Sequence, residues 1–172
     1  MESYCEYLVR KRQSPINYVL ITLVWVAAFI LTFFVILLAN KFTALFGILI
    51  VAIAGIFYGA FRLVQLFDIE YEMIAVNKDL DIDKITAKRS RKRMITVHLD
   101  KIDEYGEYNE TSAEKLKVKN FDFKLNCANE GDKAAYIIYR HPKKGLALVV
   151  IPLSEKLEKE ILKYIPRILI NK

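Results

Sequence analysis

The sequence is poor in the residues that build most catalytic and metal sites. It has only two cysteines and two histidines among 172 residues. Cys5 and Cys127 stand far apart, without the C-x-x-C or Cys/His spacing of zinc sites, so neither a metal nor a disulfide is expected. His98 and His141 have no serine, cysteine or carboxylate beside them in a recognisable catalytic pattern. The sequence therefore predicts a protein that is not an enzyme and that uses no cofactor.

Glycine is also scarce where a phosphate-binding loop would need it. After residue 67 the glycines are isolated, at Gly106, Gly131 and Gly145, so no glycine-rich phosphate loop is present. Asp79-x-Asp81-x-Asp83 looks like the start of a calcium loop, but Lys84 stands where glycine is required. Ser90 stands where a bidentate glutamate should lie. An alternating β-strand explains the aspartates better than a calcium site.

Charge is missing from two long stretches, Pro15 to Ala39 and Phe42 to Phe61, which little more than Asn40 and Lys41 separates. A bilayer core of roughly 30 Å requires about 20 apolar residues in a helix, and both stretches meet this requirement. The first stretch exceeds the roughly 7–15 apolar residues of a signal peptide. The sequence thus predicts a transmembrane hairpin of two helices over residues 15–67, preceded by a cytoplasmic N-terminal tail at 1–14.

Basic residues flank this hairpin. Arg10, Lys11 and Arg12 precede the first span, and a Lys/Arg-rich segment follows Arg62. The positive-inside rule then places both termini in the cytoplasm and makes the chain an integral membrane protein. Neither span holds an ionisable residue of the kind that proton relays and ion pathways use, which disfavours a transporter or channel.

Small residues recur on the second span. Gly55 and Gly59 form a G-x-x-x-G pattern, which lets helix backbones approach closely. We expect these glycines to pack against the first span, where Ala27 and Ala28 offer a complementary small surface. Homodimerisation through the same glycines is the alternative.

From Asp68 the apolar run gives way to alternation, which predicts a separate cytoplasmic domain over residues 68–172. Asn77-Lys78 is a plausible hairpin turn, and Ser154 can cap a final amphipathic helix that ends near Pro166. Asn109 to Lys119 is read as a short helix or a long loop. Strands are expected from Asp68 to Met73, Asp79 to Asp83, Lys92 to Leu99, Lys101 to Glu107, Phe121 to Cys127, Ala134 to His141 and Gly145 to Ile151.

This order, seven antiparallel strands and then one helix, resembles the pleckstrin-homology-like (PH-like) fold, a bent sheet or barrel capped by a C-terminal helix. The fold class is α+β beside the α-helical hairpin. Three features, namely Glu6 to Arg12, the two spans, and Leu80 to Ile85 running into a basic segment, resemble an uncharacterised family of small bacterial two-span membrane proteins with a C-terminal PH-like domain. The resemblance implies an architecture and no particular mechanism.

The densest charge cluster joins the second and third predicted strands. Its members, hereafter the basic cluster, are Lys88, Arg89, Arg91, Lys92 and Arg93. Each such charge near an anionic leaflet contributes about 1 kcal/mol, so the cluster could orient the domain or capture a headgroup. The first interstrand loop, where PH-like domains usually bind phosphoinositides, is short here. A third interpretation is a solvated turn that Asp79, Asp81 and Asp83 neutralise.

These observations predict a membrane-anchored interaction module that presents its PH-like domain for a protein or anionic-lipid partner. The partner could pair with an exposed sheet edge or occupy a groove beside the final helix. The alternative is a structural subunit of a larger membrane complex that assembles through its helices. No nucleic-acid partner is expected, because no recognition helix adjoins the basic cluster.

Overall fold

The computed structural model describes residues 4–41 and 46–170. It divides into two compact units. The helical unit comprises residues 12–69 and 86–89, and the sheet unit comprises the remaining described residues. The chain therefore passes from the sheet unit into the helical unit and back again.

Two long apolar helices make up most of the helical unit. They are α1 (Pro15–Lys41) and α2 (Phe46–Gln65), and both are long and apolar enough to cross a membrane. Asn40 and Lys41, which we expected to form the turn between the spans, belong instead to the end of α1. The predicted start of the second span at Phe42 lies outside the described residues. The second helix runs four residues beyond the uncharged stretch, through Arg62 to Gln65, and so ends within the predicted hairpin.

Alanines and aromatic rings form the contact between the two helices. Ala28 on α1 and Ala60 on α2 are buried, whereas most other apolar side chains of both helices are exposed. The Phe57 ring lies 5.5 Å from that of Phe29 and 6.2 Å from that of Trp25. Small side chains bring the backbones together and rings fill the remaining space, which leaves the outer surfaces apolar, as a lipid environment requires.

The first sheet holds four strands in the order β1-β2-β3-β4. They are β1 (Tyr4–Arg10), β2 (Ile69–Val76), β3 (Asp79–Thr86) and β4 (Ser90–His98). The last three correspond to predicted strands. We did not predict β1, having placed it in an N-terminal tail outside the domain. The two apolar helices are thus inserted between strands that are neighbours in one sheet.

The alternation of apolar side chains explains why β1 forms. Cys5 and Val9 are buried, with Tyr7 half-buried between them, while Tyr4 and Leu8 on the opposite face are exposed. In the antiparallel register Cys5 lies opposite Ala75, and Tyr7 lies opposite Met73. This period of two matches a strand with one face on a core.

The second sheet has the order β5-β7-β8-β6. Its strands are β5 (Ile102–Glu107), β6 (Phe123–Asn126), β7 (Ala134–His141) and β8 (Gly145–Pro152), and α3 (Glu110–Val118) joins β5 to β6. The prediction of seven antiparallel strands is therefore wrong in two respects. The described residues form eight strands in two sheets, and β6 is parallel to β8 because β7 turns the chain back between them.

One main core lies between the sheets and the helix α4 (Glu155–Leu162), whose Leu157 and Ile161 are completely buried. As predicted, Ser154 caps this helix: its Oγ accepts a hydrogen bond from the Leu157 amide at 3.2 Å. A smaller core lies where Leu116 of α3 packs with β7 and β8. Both faces of β8 are covered in this way, which explains its unbroken apolar sequence. A short helix, α5 (Arg167–Ile170), follows Pro166 and contacts β5.

Candidate functional site

The first half of the basic cluster lies in a tight turn between β3 and β4. Ala87 and Lys88 have positive φ values of 55° and 54°, and the Arg89 amide donates to the Thr86 carbonyl at 3.1 Å. Two successive left-handed residues are typical of a type I′ hairpin turn, which matches the twist of the flanking strands. Non-glycine residues adopt this conformation at a cost of roughly 1–2 kcal/mol each, so the turn is specified by its surroundings.

A backbone hydrogen bond fixes this turn beside the end of α2. The Ala87 amide donates to the Asp68 carbonyl at 2.9 Å. Asp68 lies three residues after Gln65, the last residue of α2, and the intervening residues continue in hydrogen-bonded turns. Lys88 and Arg89 consequently belong to the same compact unit as the apolar helices.

Acidic side chains form ion pairs with two arginines in the second half of the cluster. Arg93 bonds Asp83 and Asp81, each at 2.6 Å, and Arg91 pairs with Glu72. The Asp83 and Glu72 side chains are only 5% exposed. Burial raises the pKa of Glu72 despite the opposing effect of Arg91, and the bond to Asp83 raises the pKa of Arg93. These two arginines therefore satisfy buried carboxylates of the first sheet.

The five residues of the basic cluster thus divide into two groups. Arg91 and Arg93 are held in ion pairs, as the neutralised-turn interpretation predicted in part. Lys88, Arg89 and Lys92 are exposed, and within the described part of the chain their side chains have no ion pair or hydrogen bond. The second group therefore carries the charges that no described acidic side chain neutralises.

The strands around the cluster are numbered differently in the structure than the sequence predicted. Because β1 is the first strand, the Asn77-Lys78 turn joins strands two and three, and the connection between strands one and two is the pair of apolar helices. The short loop that we compared with phosphoinositide-binding loops is therefore a different loop. Its length gives no argument for or against headgroup binding.

Gly55 and Gly59 do not pack against α1. A Cβ atom placed on either glycine would meet no atom within 4 Å, and Ala27 is exposed. Among the described residues the expected glycine contact is therefore absent, whereas Ala28, the other alanine expected at this contact, is buried. A small side chain added at either glycine would therefore enter open space.

A cleft of about 680 Å³ lies in the sheet unit along β5 and α3. Glu104 stands on one wall, where its carboxylate accepts hydrogen bonds from the Tyr136 hydroxyl at 2.7 Å and from Lys119 Nζ at 2.8 Å. Burial and this bond raise the pKa of Tyr136 to about 12, so the phenol stays protonated and donates. The cleft brings together residues far apart in the sequence, and neither histidine lies in it.

Both histidine rings lie near the Tyr139 ring, at centroid distances of 6.0 Å for His98 and 6.1 Å for His141. Asp79 Oδ1 lies 2.5 Å from Nδ1 of His98. Nδ1 of His141 accepts hydrogen bonds from the Lys143 and Lys144 amides, so its role is to close the β7–β8 turn. Burial and the two lysines lower the pKa of His141.

The cysteines and one lysine have structural roles. Cys5 and Cys127 are buried, and desolvation raises the pKa of both thiols, to about 12 for Cys127. Lys11 belongs to the basic flank before α1, and its Nζ donates to the carbonyls of Asn126 and Ala128. The end of β1 is thereby tied to the loop after β6. Sequence reasoning missed this contact because nothing local distinguishes Lys11 from its basic neighbours.

The architecture and these surfaces define a class: a small protein whose apolar helical pair is inserted into a sheet-rich domain. A protein-family model described as "Bacterial PH-like domain (DUF6106)" matches residues 1–171, and the chain belongs to this family. The match confirms the resemblance to bacterial PH-like membrane proteins. Neither a curated protein nor a solved structure matches the chain.

Proposed function

We propose that this protein is a membrane-anchored, non-enzymatic interaction module. Its apolar helices span the cell membrane, and its PH-like domain stands at the cytoplasmic face to engage a partner. Lys88 and Arg89 contact anionic lipid there. The observation that carries the proposal is the hydrogen bond from Ala87 to Asp68, which holds the basic turn beside the end of α2.

The electrostatics favour a lipid contact at this turn. A basic side chain near an anionic leaflet contributes about 1 kcal/mol, and its attraction decays over a Debye length of about 8–10 Å. Lys88 and Arg89 lie close in sequence and in space to a helix end, so they fall within this range in the proposed arrangement. Arg91 and Arg93 are engaged by buried carboxylates and add little.

The pairing of β1 with β2 supports a hairpin topology. Arg10 lies opposite Glu70 in the register, so the chain leaves the first sheet and returns to it at adjacent positions. A single crossing would separate these strands, whereas two crossings return the chain to the same side. Arg10, Lys11 and Arg12 before α1 favour the cytoplasmic side under the positive-inside rule.

The lipid contact can be tested in the full-length protein with a fluorophore attached to Ser90→Cys. The native thiols are buried and would not compete for the label. Quenching by a spin-labelled lipid headgroup is measured in neutral vesicles and in vesicles containing phosphatidylglycerol. We expect stronger quenching in the anionic vesicles and loss of that difference in Lys88→Glu with Arg89→Glu.

Lys117→Glu with Lys143→Glu is the matched control, because it reverses two exposed lysines elsewhere. It should retain the difference between the two lipids. Equal quenching in both lipids, or a difference that survives reversal of Lys88 and Arg89, would rule out the contact.

A second candidate is a structural subunit that assembles through its helices. The open surface around Gly55 and Gly59 favours it, since small residues with no internal neighbour allow another helix to approach. We expect Gly55→Leu with Gly59→Leu to abolish cross-linked oligomers in the native membrane, while Ala54→Leu, on a different exposed face, preserves them. A wild-type chain that forms no oligomer would contradict this role.

A further inference from the structure

The cleft in the sheet unit runs along an unpaired sheet edge. In the second sheet β5 pairs only with β7 among the described strands, so its other edge has no strand partner there. Five successive residues of this strand, from Asp103 to Glu107, line the cleft, and α3 forms the facing wall. An open strand edge presents main-chain donors and acceptors that can pair with another extended chain.

Two carboxylates lie at the ends of this strand segment, where the described residues place no counterion within ion-pair distance. Glu104 is engaged by Lys119 and Tyr136. Asp103 and Glu107 are exposed, and within the described residues neither side chain forms an ion pair. The register with β7 is irregular between Ile102 and Glu104, so Asp103 occupies a bulge, a feature that redirects a side chain.

Two exposed apolar residues stand next in sequence to residues that line the same cleft. Val118 is 86% exposed and Ile168 is 82% exposed, the two highest values among the large apolar residues of the described chain. Their sequence neighbours Lys119 and Leu169 line the cleft. A partner that covered these side chains would remove apolar surface from water, which favours binding.

We propose that this cleft binds an extended, basic polypeptide segment of a partner protein, which adds to the edge of β5 as a further strand. Lysine or arginine side chains of the segment pair with Asp103 and Glu107, and its apolar side chains contact Val118 and Ile168. Five residues of strand span about 16 Å, which a short segment can cover. Main-chain hydrogen bonds supply affinity and the two carboxylates supply selectivity.

This inference rests on the proposed role as an interaction module and is independent of the lipid contact at Lys88 and Arg89. The test therefore uses the full-length protein in detergent without lipid. The probe is an array of ten-residue peptides in which valine or isoleucine alternates with lysine or arginine. Matched peptides carry glutamate in place of the basic residues, or a central proline that cannot complete a β-ladder.

We expect basic peptides to bind at least tenfold more tightly than the acidic or proline-containing ones. Asp103→Arg with Glu107→Arg should reduce that affinity at least tenfold, whereas Glu114→Arg with Glu155→Arg, a reversal of two exposed acids outside the cleft, should not. Bound peptide should also slow amide hydrogen exchange along β5, which a purely electrostatic contact would not do.

Three results would overturn the proposal: no binding to any peptide, equal binding to basic and acidic peptides, or binding that survives the reversal at Asp103 and Glu107. None of them affects the quenching experiment on the basic turn. A failure of the cleft can therefore be distinguished from a failure of the membrane contact.

Discussion

Gly106 shapes the cleft wall because it has no side chain. It lies opposite Tyr136 in the β5–β7 register, and the Tyr136 ring lies across it. A Cβ at this position would lie 2.8 Å from a ring carbon. Glycine therefore lets the ring lie flat enough for its hydroxyl to reach Glu104.

Gly106→Ala should accordingly destabilise the protein by about 1–3 kcal/mol, the usual cost of forcing an extra methyl group into a packed site. The measurement is urea unfolding of the full-length protein in detergent. In a Tyr136→Leu background the same substitution should cost much less, because the ring is gone. An equal cost in both backgrounds would show that the ring is not the cause.

His141 gives the stability a pH dependence. Its pKa is lowered in the folded state, so the unfolded chain binds more protons and folding loses stability as the pH falls below the usual histidine value of about 6.5. Protonated Nδ1 can no longer accept from the Lys143 and Lys144 amides. We expect a loss of about 1 kcal/mol, because the two amides share one acceptor nitrogen and together contribute about as much as a single hydrogen bond.

Thermal unfolding between pH 5 and pH 8 measures this loss. His141→Asn retains a side-chain acceptor and does not titrate, so its stability should vary less with pH over the same range. A wild-type and variant pair with parallel pH profiles would exclude His141 as the source.

At the scale of elements, the face that β1 turns toward the core can be tested with two single substitutions. Val9 is buried and Leu8 is exposed, although they are adjacent. We expect Val9→Ala to cost about 2 kcal/mol and Leu8→Ala, a larger truncation, to cost about 0.5 kcal/mol or less. Chemical unfolding of both variants measures the difference. The opposite ranking would mean that β1 faces the core with its other side.

The other strands were accessible from sequence because their signal is local. Alternation in the Asp79 segment and the apolar run of β8 both lie beside turn residues, and the structure places strands there. The alternation in β1 is equally regular, but the strand that pairs with it follows both apolar helices. A short alternating segment before a predicted membrane span therefore predicted only an N-terminal tail. A short stretch of sequence contains no information about a strand partner that lies so far along the chain.

The sequence located the basic cluster but could not show which of its side chains form ion pairs. Whether Arg91 and Arg93 are available depends on buried carboxylates from β2 and β3 that approach only after the sheet forms. The cleft was likewise invisible, since β5, α3, β7 and α5 each contribute part of its lining. The number of basic residues in a segment can be counted in the sequence, whereas their ion pairs depend on how the folded chain packs.

At the scale of the whole molecule, the sheet unit should fold without the apolar helices. Replacing residues 12–68 by Asn-Gly joins Lys11 to Ile69, and Arg10 and Glu70 are already opposite each other. A short turn of this composition suits an antiparallel pair. We expect a soluble protein with cooperative unfolding, measured by near-ultraviolet circular dichroism during a urea titration.

The fragment 68–172 is the informative comparison, since it also lacks the helices but has no β1. It loses Cys5 and Val9 from the main core, so its unfolding should be less cooperative and its midpoint lower. Indistinguishable unfolding of the two proteins would show that β1 is dispensable for the fold.

The insertion of α1 and α2 between paired strands also sets an order of events during synthesis. The ribosome produces β1 first, then both apolar helices, and only afterwards the strand that pairs with β1. At ordinary elongation rates this interval lasts roughly 3–12 seconds. Throughout it Cys5 and Val9 have no sheet to cover them, so synthesis of both apolar helices has to be completed before the first half of the domain can close.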